Sequence, residues 1–168
     1  MSREVYTRSD IEKMEKEIEH RRLVVRKEAI EAVKEARAQG DLSENFEYYA
    51  AKREKNRNES RIKYLEKLVR NATVIDDTSA EDEVGLDTEV EVFIPMMNET
   101  QTFHLVTSIR GNSLKKYISV ESPVGKALLG HRVGETVTVH VNSVVKYDME
   151  IRKLTKVFDD SEDEIRRY

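Results

Sequence analysis

From Ser9 onward, apolar residues return every three or four positions, with one double step between Ile18 and Val25: Ile11, Met14, Ile18, Val25, Ala29, Val33 and Ala36 make one stripe. That is the period of an amphipathic helix. Ser9 followed by Glu12 has the form of a capping box at its start, and Gly40 supplies a left-handed stop at its end. A second helical pattern runs from about Glu44 to Arg70, with Ala51, Ile62, Leu65 and Val69 facing inward and no proline. Two helices joined by a turn as short as "GDLSEN" (Gly40 to Asn45) fold back antiparallel. About 30 residues per helix, at roughly 1.5 Å each, give a rod of about 45 Å. Between Ala51 and Ile62 no large apolar residue occurs for ten positions. The middle of the hairpin is therefore expected to be held mainly by Leu23, Val24 and Val25 of the first helix and by ion pairs of small individual worth.

Near Asn71 the pattern changes. "NATVIDDTSAEDEVGLDTE" carries turn formers and acids and no helical stripe, which predicts a short strand followed by a linker. Beyond it, Thr88 to Ile94, Thr102 to Ser108, Tyr117 to Val120, Thr136 to Val141 and Lys146 to Leu154 alternate at period two or are rich in β-branched residues. One short helical piece, "PVGKALLG", lies among these strands, opened by Pro123 and closed by Gly130. The expected fold class is α+β in two domains: a long antiparallel coiled-coil hairpin over 1–75, a linker over 76–86, a small antiparallel sheet with a short helix over 87–158, and a flexible acidic tail over 159–168.

Charge sharpens this division. Net charge is −4, but residues 1–75 hold 18 Lys/Arg against 15 Asp/Glu, while the remainder holds 11 against 18. The two halves are electrostatically different objects. With 168 residues there is room for one ordinary domain or two small ones. The absence of cysteine removes disulfides, thiol nucleophiles and thiolate metal sites, and fits a reducing compartment. His20, His104, His131 and His140 show no metal-binding spacing. No apolar run approaches a membrane span and the start lacks a signal-peptide core, so a cytoplasmic protein is expected.

Three groups of residues could carry chemistry. Asp41 and Glu44, three apart at the turn, form a second possible capping box, with Asp41 as N-cap and Glu44 returning the bond. They could equally project as a carboxylate pair, because Mg²⁺ is often held by one or two protein carboxylates while substrate phosphate and water fill the other positions. Lys52, Arg53, Lys55 and Arg57, continuing to Arg61 and Lys63, oppose only Glu54 and Glu59. This window is either a solvated helix face laced with ion pairs or a surface for nucleic-acid phosphate. Tyr48 and Tyr49 add possible stacking surfaces for a base. In "SPVGKALLG" the Gly-Lys pair lacks the frame of a phosphate loop, since Ala127 stands where a hydroxyl is needed.

In this order, "EARAQGDLSENFEYYAAKREK" (Glu35 to Lys55), "RIKYLEKLVRNATVID" (Arg61 to Asp76) and "YISVESPVGKALLGHRVGETVTV" (Tyr117 to Val139) resemble the Gre family of bacterial transcript cleavage factors over nearly the whole chain. The "EYYAAK" continuation is closer to the GreA branch than to the GreB branch. The resemblance implies a coiled coil that enters the secondary channel of RNA polymerase and a C-terminal domain of FKBP-like fold that docks at its rim, with Ser122 and Pro123 on the docking side. It implies that Asp41 and Glu44 share a Mg²⁺ with the polymerase, which then hydrolyses the displaced 3′ end of a backtracked transcript. Lys52, Arg53, Lys55 and Arg57 are expected beside the nascent RNA. The factor itself would be no enzyme, would hold no tight cofactor and would act as a monomer. Phe46 stands where the family usually has alanine, Tyr49 replaces the usual histidine, and the acidic segment beyond Phe158 is an extension. Two other roles stay open at this point: a Gre-like inhibitor of polymerase, and a coiled-coil structural or chaperone adaptor.

Overall fold

A computed structural model describes residues 4–40, 45–157, 160–161 and 163–167. The chain forms two compact units, one built from Met1–Glu4 and Ile11–Ala72, the other from Val5–Asp10 and Thr73–Tyr168. No helix among the described residues is long and apolar enough to cross a membrane.

The first unit is the helical hairpin. Helix α1 (Arg8–His20) passes through a π-helical segment, Arg21–Val25, into α2 (Arg26–Ala38), and α3 (Phe46–Asn71) returns. The N-terminal cap falls two residues before the expected Ser9–Glu12 box. Thr7 N donates to Asp10 Oδ2 at 2.9 Å and Asp10 N donates to Thr7 Oγ1 at 3.2 Å, the reciprocal pair of a capping box. The π segment has a cause in the apolar pattern. Inward positions alternate by three and four up to Arg21, then Arg21, Val25, Ala29 and Val33 follow at successive intervals of four, more residues than α-helical turns accommodate. A wider turn, in which Arg26 N donates to Arg21 O, absorbs the excess.

The expectation that Leu23 and Val24 supply burial here is wrong: they are 66% and 42% exposed. Val25 is half-buried, and the expected ion pairs are present, but they join a largely buried polar network. Arg61 reaches Glu17 with two nitrogens at 2.9 and 3.2 Å, Arg21 Nε donates to the same carboxylate at 2.7 Å, and Asn58 exchanges bonds with Arg21, accepting from its Nη1 at 3.1 Å and donating to its carbonyl at 3.2 Å. Asn58 and Arg61 are both buried. Burial acts to raise the Glu17 carboxyl, but hydrogen bonds from Arg61 and Arg21 outweigh it and hold the group below its ordinary value. Met14, Ile18, Ile62 and Leu65 are the hairpin's buried apolar side chains on the side nearer the chain ends.

The second unit opens with a pairing invisible in the sequence. Strand β1 (Val5–Tyr6) lies parallel to β2 (Thr73–Val74), and Ile75 N continues the ladder to Tyr6 O. The five further strands, β3 (Thr88–Ile94), β4 (Glu99–Val106), β5 (Tyr117–Ser119), β6 (Thr136–His140) and β7 (Lys146–Lys156), fall within a few residues of the predicted segments. They form one sheet in the order β5-β4-β3-β7-β6. The sheet is mixed rather than wholly antiparallel, because β5 pairs parallel to β4. Alternation puts Val90, Val92, Val137, Val139, Met149 and Ile151 into the core, which Leu128 of α4 (Pro123–Leu128) joins.

Arg110, whose side chain is fully buried, gathers three distant segments of this unit. Its Nε lies 2.6 Å from Asp10 Oδ1, and its Nη1 lies 2.6 Å from Asp87 Oδ1 and 2.9 Å from Asp163 Oδ2. Thr107 Oγ1 donates to the other Asp10 oxygen at 2.7 Å. Asp163 belongs to the acidic segment expected to be a flexible tail. Its carboxylate is fastened to Arg110, and Arg166 N donates to Ile109 O. A fully desolvated guanidinium is stable only when paired, and the tail supplies one of its partners.

Candidate functional site

Asp41 and Glu44 lie outside the described residues, but the helix ends on either side of them are defined. Gln39 closes α2, and Gly40 takes φ +148°, with open space where a Cβ would project. On the other side the N-cap of α3 is Asn45. Its Oδ1 accepts from Tyr48 N at 3.0 Å, and its Nδ2 donates to Ala36 O at 2.6 Å. One amide thus satisfies a free N–H of α3 and adds a second donor to the Ala36 carbonyl, which also accepts from Gln39 N at 3.4 Å, tying the two helix ends together. The capping box offered by Asp41 and Glu44 is therefore not the one the helix uses. Glu44 precedes the cap and cannot fill the third helical position, which Tyr48 occupies.

Beside the turn the aromatics divide into two roles. The Arg37 guanidinium stands 5.7 Å from the Tyr48 ring centroid and holds the Tyr48 phenol below its ordinary value, so Tyr48 is committed to the hairpin. Tyr49 meets Tyr48 edge-on at 5.5 Å yet remains 48% exposed, and Phe46 is 85% exposed.

The basic window also divides. Arg61 faces Glu17 and leaves the surface; Arg21 pairs with Glu17 on its own side of the hairpin, while Arg22 crosses to Glu66 and Arg26 grips Glu59 with two bonds of 2.7 and 2.9 Å. Lys52 and Arg53 are exposed and Lys55 is half-buried, and none of the three has an ion-pair partner among the described residues. Arg57 pairs with Glu54 at 2.7 Å, both side chains being largely solvated. Within the window, the exposed cations are Lys52, Arg53, Arg57 and Lys63.

In the second unit, Ser122 caps α4. Its Oγ accepts from Gly125 N at 3.0 Å and donates to Ser119 O at 2.6 Å, while Pro123 is exposed at the first helical position. Gly125 is required by close approach: a Cβ there would sit 2.1 Å from Ser119 O. Asp87, His104 and Asp163 bring possible ligand atoms within 4.8 Å of one another. Arg110 already lies against both carboxylates, so this cluster is a buried ion network. Sequence reading missed it because its members share no local spacing.

Two family models match the chain: one described as "Transcription elongation factor, N-terminal" over residues 4–74, and one as "Transcription elongation factor, GreA/GreB, C-term" over 79–156. The transcription elongation factor GreA of Caldanaerobacter subterraneus subsp. tengcongensis is 43% identical over 152 residues, covering 89% of this chain and 97% of that protein. The corresponding factor of Geobacillus kaustophilus is 44% identical over 134 residues, covering 79% of this chain and 85% of the relative. A solved structure, the GreA factor homolog 1 (Gfh1) of Thermus thermophilus, aligns with 92% of this chain and 99% of its own at 28% identity and a TM-score of 0.42.

Proposed function

The chain belongs to the GreA/GreB family of transcription elongation factors, and we propose that it acts through the catalytic centre of RNA polymerase by bringing Asp41 and Glu44 there on the end of its hairpin. The observation that carries this reading is the helix end. Asn45 caps α3 and bonds the Ala36 carbonyl, so the cap of α3 falls to its amide and to neither carboxylate. We assign the two acids instead to a ligand supplied from elsewhere.

The donor set fits Mg²⁺ held in common with another protein: two hard carboxylates, three residues apart, too few for a tight site by themselves. When bound between the two proteins, Mg²⁺ supplies the charge that stabilises the attacking and leaving oxygens in phosphodiester hydrolysis. Asp41 and Glu44 contribute oxygens and orient the attacking water; the bond broken belongs to the RNA, and the chemistry remains the polymerase's. The factor is on this reading an assistant rather than an enzyme, with no tightly bound cofactor.

The rest of the chain serves delivery. Helix α3 has 26 residues, about 40 Å at 1.5 Å per residue, a length suited to reaching through the secondary channel. Lys52, Arg53, Lys55 and Arg57 run beside the displaced 3′ end of the nascent RNA, where their charge counters phosphate. Ser122 and Pro123, on the rigid turn that Gly125 makes possible, dock the second unit at the channel rim. One channel admits one hairpin, so the working form is a monomer.

The test is the length of labelled RNA in polymerase halted in a backtracked state, with Mg²⁺ present. Wild type accelerates 3′ shortening, while Asp41→Asn and Glu44→Gln abolish the acceleration yet still compete with wild type for polymerase. An inhibitor would slow the reaction, an adaptor would leave it unchanged, and either result contradicts the proposal.

A further inference from the structure

Phe46 is the most exposed aromatic side chain among the described residues, 85% accessible at the first position of a well-formed helix. A single exposed apolar residue needs no explanation. Its company does. At the helical intervals of three, four and four, Phe46 is followed on one face of α3 by Tyr49, Arg53 and Arg57, all exposed, Arg57 in a solvated pair with Glu54 that phosphate would exchange. The stripe spans about 17 Å and begins two residues after Glu44. Tyr48, on another face, is taken by Arg37, while Phe46 and Tyr49 are the exposed rings, Tyr49 touching Tyr48 with its edge only.

Aromatic rings followed by cations along one groove or ridge suit a particular ligand. Each unpaired base has a flat π-face that stacks on Phe or Tyr, and the intervening phosphates meet arginine, without any demand on base identity. A protein partner would satisfy the apolar rings equally well, but it would meet Arg53 and Arg57 only through carboxylates. A single strand satisfies both halves of the stripe with its repeating unit.

We propose that Phe46 and Tyr49 form a stacking platform for unpaired bases of the displaced RNA 3′ end, with Arg53 and Arg57 gripping the adjoining phosphates. This rests on the reading given above and adds a residue to it: Phe46, two positions after Glu44 in the chain, positions the RNA strand. The platform is sequence-tolerant, and it holds the strand by surface rather than by hydrogen-bond readout.

The experiment uses a backtracked polymerase complex whose displaced RNA ends in 4-thiouridine. With wild type, irradiation crosslinks the RNA to the segment containing Phe46 and Tyr49. Phe46→Ala reduces the crosslink and raises the factor concentration needed for half-maximal cleavage roughly fivefold or more, the weight of one lost stacked base. Phe46→Tyr restores both, which a merely structural role for the phenylalanine would not require. Since Phe46 is exposed, helical circular dichroism of Phe46→Ala stays at the wild-type value. Unchanged crosslinking and half-saturation in Phe46→Ala overturn the platform while leaving the proposed function intact. A wild-type factor that crosslinks without accelerating cleavage supports the platform and overturns the function.

Discussion

Replacing Arg110 with methionine keeps most of the side chain's volume but removes the charge around which Asp10, Asp87 and Asp163 converge. In the native protein the guanidinium is fully buried, with contacts of 2.6 Å to Asp10, 2.6 Å to Asp87 and 2.9 Å to Asp163. Asp10 is also fully buried. Its loss of a counter-charge is the dominant penalty, and breaking a buried pair from one side typically costs about 3–5 kcal/mol. For a unit of about 100 residues this corresponds to a fall in Tm on the order of 20 °C. Acidification should erase part of the difference. Burial acts to raise the Asp87 carboxyl, but His104 and Arg110 outweigh it and hold it below the ordinary aspartate value. A depressed carboxyl contributes stability above its unfolded value, about pH 4, and that contribution is lost as the pH falls through the folded value. Urea unfolding of wild type and Arg110→Met at pH 7 and at about pH 3.5 measures both effects. Arg110→Lys, which keeps charge without the planar fork, should fall between them. A loss below about 1 kcal/mol at pH 7, or a difference that grows on acidification, would refute the assignment of Arg110 as the charge centre of this unit.

Other perturbations test other parts of the structure. Glu17→Gln leaves the buried Arg61 guanidinium short of a charged acceptor and should cost the hairpin about 1–3 kcal/mol at pH 7. Because the Glu17 carboxyl is depressed, the deficit should shrink below about pH 4 in denaturation followed by helical circular dichroism. Asn45→Ala removes the cap of α3 and the bond to Ala36, so about 1 kcal/mol of stability and faster amide exchange at Tyr48 are expected; exchange at the wild-type rate would mean that another group caps the helix. Gly125→Ala forces a Cβ against Ser119 O. It should lower the Tm of the second unit and weaken binding to polymerase together, and an unaltered Tm would show that the turn can yield.

What could be read from the sequence was what depends on near neighbours. The strand alternation in Thr136–His140 and Lys146–Lys156 and the stripe from Ile11 to Ile18 placed their elements closely, since period alone decides which face is buried. Where the same local chemistry had more than one place to act, the reading missed. Thr7-Asp10 and Ser9-Glu12 both have box spacing, and so do Asp41-Glu44 and Asn45-Tyr48 for a single N-cap bond; the start of the helix, fixed by packing, selects among them. The waist misled for a related reason. Polar Asn58 and Arg61 are buried because Arg21 and Glu17 satisfy them from 37 and 44 residues away, while apolar Leu23 and Val24 lie outside because Arg21 and Val25 hold the inward positions on either side of them. Strand β1 is two residues long and carries no period, and Arg110 draws its partners from across the chain. The tip carboxylates were legible as a pair, and the functional reading of that pair came from resemblance rather than from spacing.

The central claim is that Asp41 and Glu44 complete a Mg²⁺ site that polymerase holds only in part. It is tested most directly by the Mg²⁺ concentration that gives half-maximal RNA cleavage in backtracked complexes saturated with factor. The account predicts that wild type lowers this concentration relative to polymerase alone, and that Asp41→Asn and Glu44→Gln return it towards the factor-free value. Wild type and both variants sharing one Mg²⁺ half-saturation would contradict it, because the carboxylates would then be acting on something other than the metal.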